Sequence, residues 1–224
     1  MGGLFEAIKS NLISGQAYYK IIKGAITTVI IVLMAWIIAF LIGAVCSYFM
    51  CYNKLIISSI AKGVSFFFRS TPALLLLLLL YYVIFKASHM NVMIIAGLAL
   101  GLYGAGHFAE IITKSVKENQ VWSDRRLMQK LKAAYFTVAL PEAVEESMFN
   151  IKRLMIHMLQ WTTIVGYISV NDLTEVMLNI GQRTMYPFFS IACGIIFYLF
   201  ATILIEWLFW IIKKKVVSKR FKSE

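Results

Sequence analysis

Long hydrophobic runs alternate with short polar stretches along the chain, and this alternation predicts a series of membrane-crossing helices. The runs cover residues 24–53, 63–85, 87–109, 154–171 and 184–205. About 20 residues, rising about 1.5 Å each, are enough to cross the hydrocarbon core of a bilayer. The pattern therefore predicts an all-α integral membrane protein with five transmembrane helices.

One long polar segment, residues 114–141, separates spans three and four. Its apolar side chains recur at three- and four-residue spacing, as they do in an amphipathic helix. These residues are Leu127, Leu131, Ala134 and Val138. The apolar face of this predicted helix has three candidate partners: the transmembrane helices, a soluble protein, or an anionic lipid surface, which its basic charge fits equally well.

The Lys and Arg residues predict the orientation of the spans. With the C-terminus inside, 17 of the 22 Lys and Arg residues lie on the inner side. Cytoplasmic loops are enriched in these residues, so we expect the N-terminus outside and the polar segment in the cytoplasm. A transmembrane domain, residues 24–212, then lies between an interfacial segment, residues 1–23, and a basic cytoplasmic tail, residues 213–224.

Composition agrees with the membrane interpretation, because 60% of residues are hydrophobic, only 15% are charged and the mean hydropathy is +0.77. The net charge of +11 does not indicate nucleic-acid binding, since the basic residues cluster between apolar runs. The three cysteines form no Cys-x-x-Cys pair, so no metal site is indicated. No phosphate-binding loop of the Gly-x-x-x-x-Gly-Lys-Ser/Thr type occurs either, so we expect neither a cofactor nor an ATPase activity in this chain.

Ionisable residues inside a span are functional candidates, because burying them in lipid is unfavourable. Tyr103, His107, Glu110 and Lys114 fall on one face of span three. The carboxylate of Glu110 could pair with the amino group or basic side chain of an amino acid. The alternative is a structural pair of Glu110 with Lys114, with His107 hydrogen-bonded between helices.

Two further groups of residues stand out in the spans. Gly97, Gly101 and Gly104 share a face of span three and predict close helix packing. Thr162 and Thr163 in span four would either line a passage or bond back to their own helix.

Several short motifs together resemble one protein family. They are Gly24-x-x-Thr27, Phe68-Arg69-Ser70-Thr71-Pro72 with Tyr81-Tyr82, Ala109-Glu110-Ile111-Ile112, Gln120 and Leu127 before Leu140-Pro141-Glu142-Ala143, and Thr162-Thr163 before Val170-x-Asp172-Leu173. In residues and spacing they resemble the inner-membrane permease subunits of ATP-binding cassette (ABC) importers for polar amino acids, of the histidine, glutamine and arginine uptake type. The resemblance runs from about Gly24 to the tail.

This resemblance implies a multi-pass protein of the bacterial inner membrane that forms the path for a polar amino acid. Its partners would be a second permease subunit, either identical or paralogous, two cytoplasmic ATPases that hold ATP and Mg²⁺, and an extracytoplasmic substrate-binding protein. Substrate contacts would come from Tyr103, His107, Glu110, Thr162 and Thr163. The residues that would couple to the ATPase are Gln120, Trp122, Asp124, Leu127, Met128, Leu131 and Pro141.

The polar segment also departs from the family pattern. Trp122-Ser123-Asp124 stands where the family has Glu-Ala-Ala, and Met128 replaces its glycine. Such divergence fits either a specialised lineage or one half of an asymmetric pair whose other half keeps the motif. A five-span channel or secondary transporter is the alternative function, although it does not explain the spacing of Gln120, Leu127 and Pro141.

Overall fold

A computed structural model describes residues 16–51, 55–118 and 135–220, with side chains up to residue 214. Within these ranges all regular structure is helical, which confirms the predicted all-α class. The helices are α1 (Ala17–Cys51), α2 (Leu55–Ser70), α3 (Ala73–Leu79), α4 (Val92–Glu118), α5 (Leu140–Glu146), α6 (Met148–Trp161), α7 (Leu173–Thr184) and α8 (Pro187–Arg220). A π-helical segment, Leu80–Ile84, extends α3, and a second one, Tyr135–Ala139, precedes α5. A 3-10 segment, Thr162–Ile168, extends α6.

Three helices, α1, α4 and α8, are long and apolar enough to cross a membrane. The pair formed by α2 and α3 adds a fourth candidate span if it is counted as one, and it is bent by 104°. The predicted fourth span falls on α6 and its 3-10 extension, where the α-helix ends at Trp161. The described residues thus contain helices long and apolar enough to cross a membrane, as predicted, and the count of five spans stays a prediction.

The bend between α2 and α3 is built around Thr71 and Pro72. The backbone N–H and the hydroxyl of Thr71 both donate to the carbonyl of Phe67, at 3.0 and 2.7 Å. Pro72 directly precedes α3, and its carbonyl accepts the first bond of that helix from the N–H of Leu76 at 3.1 Å. A proline costs least at the start of a helix, where its missing N–H has no helical partner.

The described residues form two compact units, and the larger one comprises residues 27–51, 55–118 and 135–170. Its centre is the glycine face of α4. A Cβ atom at Gly97 would lie 3.0 Å from Met34, and one at Gly101 would lie 2.6 Å from Ile38, so α1 packs directly on the α4 backbone. At Gly104 a Cβ atom would lie 2.6 Å from Met158 of α6. The predicted close-packing face is therefore confirmed.

The smaller unit comprises residues 16–26 and 171–220. A Cβ atom at Gly24 would lie 3.0 Å from the carbonyl oxygen of Asp172, so α1 and the start of α7 touch through their backbones. The Asp172 carboxylate caps α7 by accepting the N–H groups of Thr174 and Glu175 at 3.1 and 3.0 Å. Burial raises the pKa of this carboxyl, and the two N–H donors oppose that rise. Two of the motif positions, Gly24 and Asp172, thus share a structural role.

The predicted interfacial segment, residues 1–23, is only partly described. Residues 1–15 lie outside the described ranges. The helix of the first span begins at Ala17 rather than Gly24, so Lys20 and Lys23 belong to its first turns. The uncharged run extends from those turns toward Cys51.

Candidate functional site

The site begins with a backbone contact between α2 and α4. A Cβ atom at Gly106 would lie 2.8 Å from the carbonyl oxygen of Ser65 and 2.9 Å from the backbone nitrogen of Arg69. The buried hydroxyl of Ser65 donates to the carbonyl of Gly106 at 3.0 Å. This close approach brings Arg69, at the end of α2, over the middle of α4.

Arg69 and Glu110 form an ion pair across the two helices. The guanidinium Nη1 lies 3.2 Å from Oε2 of Glu110, and the two side chains are 33% and 47% exposed. Lys114 instead lies 3.9 Å from Glu118, one turn further along α4. The structural alternative predicted a pair of Glu110 with Lys114. In the structure the partner of Glu110 is Arg69 instead.

Glu110 also lines a cleft of about 400 Å³ between α4 and the region around α5 and α6. The lining residues are Glu110, Ile111, Lys114, Ser115, Glu118, Glu146, Ser147 and Asn150. The Ser115 hydroxyl donates to Oε2 of Glu146 at 2.8 Å and so fixes that carboxylate at the wall. Three carboxylates and one ammonium group line the cleft, and Arg69 pairs with one of those carboxylates from outside the lining. One negative charge remains in excess, so the cleft favours a cationic group.

Tyr103 and His107 lie on α4 before Glu110 and form an aromatic patch with Trp161. The rings of Tyr103 and His107 are 4.8 Å apart, and those of Tyr103 and Trp161 are 6.0 Å apart. The Nε2 atom of His107 is buried and has no hydrogen-bond partner among the described residues. This nitrogen is therefore a polar atom that a bound ligand or water could satisfy.

Thr162 and Thr163 both bond back to their own helix. Their hydroxyls donate to the carbonyls of Leu159 and Gln160, at 2.7 and 2.9 Å. Thr162 is buried and Thr163 is exposed. Both residues occupy the point where α6 changes to its 3-10 extension, so these bonds belong to that change of helix type.

The predicted coupling residues fall almost entirely outside the described ranges. These are Gln120, Trp122, Asp124, Leu127, Met128 and Leu131, within residues 119–134. Pro141 is described and exposed, and it occupies the first turn of α5. Their role in coupling stays a prediction.

Two solved structures of ABC transporters are similar in fold to this chain. No protein-family profile matches the chain, and no curated protein matches its sequence. An amino acid ABC transporter crystallised with histidines matches at a TM-score of 0.72 and 21% identity, over 88% of this chain and 94% of that one. The methionine ABC transporter MetNI, in inward-facing form, matches at a TM-score of 0.70 and 17% identity, over 91% of this chain and 99% of that one.

The fold is that of ABC transporter membrane subunits. The length and apolar character of α1, α4 and α8 agree with a membrane location.

Three residues of the site were missed by the sequence interpretation: Ser65, Gly106 and Glu146. Gly106 lies two positions after Gly104 and so points away from the predicted glycine face. Its neighbour is the backbone of α2, which no periodicity in α4 can indicate. Glu146 is one of several charges outside the spans, and only the fold brings it to the cleft.

Proposed function

We propose that this chain is the permease subunit of an ABC importer for a polar amino acid in the bacterial inner membrane, with its N-terminus outside. The observation that carries the proposal is the likeness to membrane subunits of two ABC transporters over about nine-tenths of the chain, 88% and 91%. The motif residues Arg69 and Glu110, which resemble family positions, are in contact in this fold. ATP and Mg²⁺ would bind to a separate ATPase.

The acidic cleft supports a substrate that carries a positive group. Glu110 lies between Arg69 and the cleft and is about half exposed, so a substrate ammonium or guanidinium group can reach its carboxylate. Tyr103 and His107 offer a ring edge and an unsatisfied nitrogen on the same helix. We assign these three residues to substrate binding. The hydroxyls of Thr162 and Thr163 bond to their own helix, so a role for them in lining the passage stays a prediction.

Purification of the tagged chain from its native membranes tests the proposal directly. We expect an ATPase with a phosphate-binding loop to co-purify, and substrate to stimulate ATP hydrolysis by the complex in proteoliposomes. Uptake that is driven by an ion gradient in the absence of ATP would contradict the proposal and favour a secondary transporter.

We expect Glu110→Gln to leave the complex assembled and to reduce uptake, more for a cationic amino acid than for a neutral one. The loss of a charge-assisted contact corresponds to about 1.5–3 kcal/mol, or roughly tenfold to a hundredfold. Because Glu110 is 47% exposed, we expect the lower end of that range. Uptake of radiolabelled arginine and glutamine by proteoliposomes measures the difference.

The ion pair itself provides the control for this prediction. If Glu110 serves only to neutralise Arg69, then Arg69→Gln combined with Glu110→Gln should restore uptake, since no unpaired charge remains. If Glu110 binds substrate, the double variant should stay as impaired toward the cationic amino acid as Glu110→Gln alone. Restored uptake in the double variant would assign Glu110 to structure.

A further inference from the structure

A second cleft, of about 410 Å³, lies within the smaller unit, where the first turns of α1 meet α7. Its lining residues are Lys20, Lys23, Gly24, Asn171, Val176, Asn179, Ile180 and Arg183. The lining includes three cations and two amides, and none of these described residues is an Asp or a Glu. The Nδ2 of Asn179 donates to Oε1 of Glu175 at 3.1 Å, so the three cations are what give the cleft the donors and the charge that an anionic group requires.

The packing of α1 on α7 explains why the cleft is concave. A Cβ atom at Gly24 would lie 3.1 Å from both the Cα of Leu173 and Cγ2 of Val176, so the two helices touch there without any side chain from α1. Lys20 and Lys23, which precede this contact on α1, are exposed. The wall is thus backbone and aliphatic, and the cations stand at the opening.

The position of the cations along α1 indicates what kind of anion they meet. Lys20 and Lys23 immediately precede the uncharged run of the first span, which places them at the level of lipid headgroups. Tyr19 and Ile26 share a helix face with Lys23 and are 48% and 53% exposed. The Nζ of Lys23 lies 4.6 Å from the centre of the Tyr19 ring. Lys23 thus lies between an aromatic ring and an exposed aliphatic side chain, so it could bind a phosphate while an acyl chain attached to that phosphate contacts the aliphatic side chain.

Exposed residues after α7 and at the start of α8 agree with a lipid ligand. Met185 and Phe188 follow Arg183 and are 83% and 84% exposed. These large apolar side chains would be unfavourable in water, and a lipid would cover them. A water-soluble acidic protein surface would match the cations but leave the apolar residues without contacts.

We propose that this cleft binds the headgroup phosphate of an anionic phospholipid, held by Lys20, Lys23 and Arg183, with the acyl chains running past Ile26 along the uncharged part of α1. The site shares no lining residue with the acidic cleft of the larger unit. It would secure the first turns of α1 to α7 at the membrane interface.

Titration of the full chain in neutral detergent with phosphatidylglycerol tests this site, with the thermal unfolding midpoint as the readout. We expect phosphatidylglycerol to raise the Tm of the wild-type chain saturably and phosphatidylcholine to raise it less. Lys20→Gln with Lys23→Gln should weaken phosphatidylglycerol binding about tenfold or more. Lys20→Arg with Lys23→Arg should retain it, which separates loss of charge from a general folding defect.

The matched control is Lys213→Gln with Lys214→Gln, which removes the same charge from exposed positions of α8 that do not line the cleft. It should leave phosphatidylglycerol binding within about twofold of wild type, because distant surface charges are screened. Equal weakening by this control would overturn the proposal. So would saturation of the cleft by inorganic phosphate at the same concentration, or tighter binding of a polyglutamate peptide than of phosphatidylglycerol.

Discussion

Replacement of Gly106 with alanine is expected to separate α2 from α4 and to lower the Tm of the purified chain by several degrees. The added methyl group would lie within 3 Å of two backbone atoms of α2, at 2.8 Å from Ser65 and 2.9 Å from Arg69. Backbone atoms cannot rotate away as a side chain can, so the helices must move apart. Overpacking of this kind lowers the free energy of unfolding by about 1–3 kcal/mol, and the higher helix propensity of alanine offsets about 1 kcal/mol of that loss.

Two variants of α2 serve as controls for Gly106→Ala in α4. A methyl group added at Gly63 would have no neighbouring atom within 4 Å, so Gly63→Ala should leave the Tm unchanged or raise it slightly. Ser65→Ala removes the 3.0 Å hydrogen bond to Gly106 without introducing a clash, so it should lower the free energy of unfolding by only about 1 kcal/mol. Equal thermal stability of Gly106→Ala and Gly63→Ala would show that the α2–α4 contact is looser than these distances indicate.

Features with a local period were accessible from the sequence. The glycine face of α4 repeats with the helix and faces a single neighbour over Gly97 and Gly101, so its packing role follows from spacing alone. The uncharged runs likewise predicted the long apolar helices α1, α4 and α8. In each case the residues of a single helix are enough to predict the feature.

Features that depend on two distant elements were not accessible. From sequence the natural partner of Glu110 was Lys114, one turn away, whereas Arg69 of α2 makes the contact at 3.2 Å. Pro72 falls near the start of the predicted second span, but the 104° bend depends on how α2 and α3 pack. The acidic character of the cleft depends on Glu146, which only the packing of distant helices places beside α4.

Leu127→Asp is expected to release the ATPase from the complex or to uncouple ATP hydrolysis from transport. Leu127 and Met128 are among the residues predicted to couple to the ATPase, and we expect them to be its main contacts because interface affinity is concentrated in a few buried apolar side chains. A buried aspartate in place of such an anchor should cost about 2 kcal/mol or more, which corresponds to roughly thirtyfold weaker binding. Retention of the ATPase during purification and substrate-stimulated hydrolysis are the two measurements.

The paired variant Arg125→Ala with Arg126→Ala distinguishes coupling from lipid binding by the same segment. If the segment docks in an ATPase, these arginines lie at the rim, so their loss should have a milder effect that diminishes at high salt. If the segment lies on anionic lipid, its basic residues provide the attraction, and the double arginine variant should be at least as damaging as Leu127→Asp. A Leu127→Asp complex that retains its ATPase and transports normally would contradict the coupling role, because an apolar anchor cannot be replaced by a charge without loss of affinity.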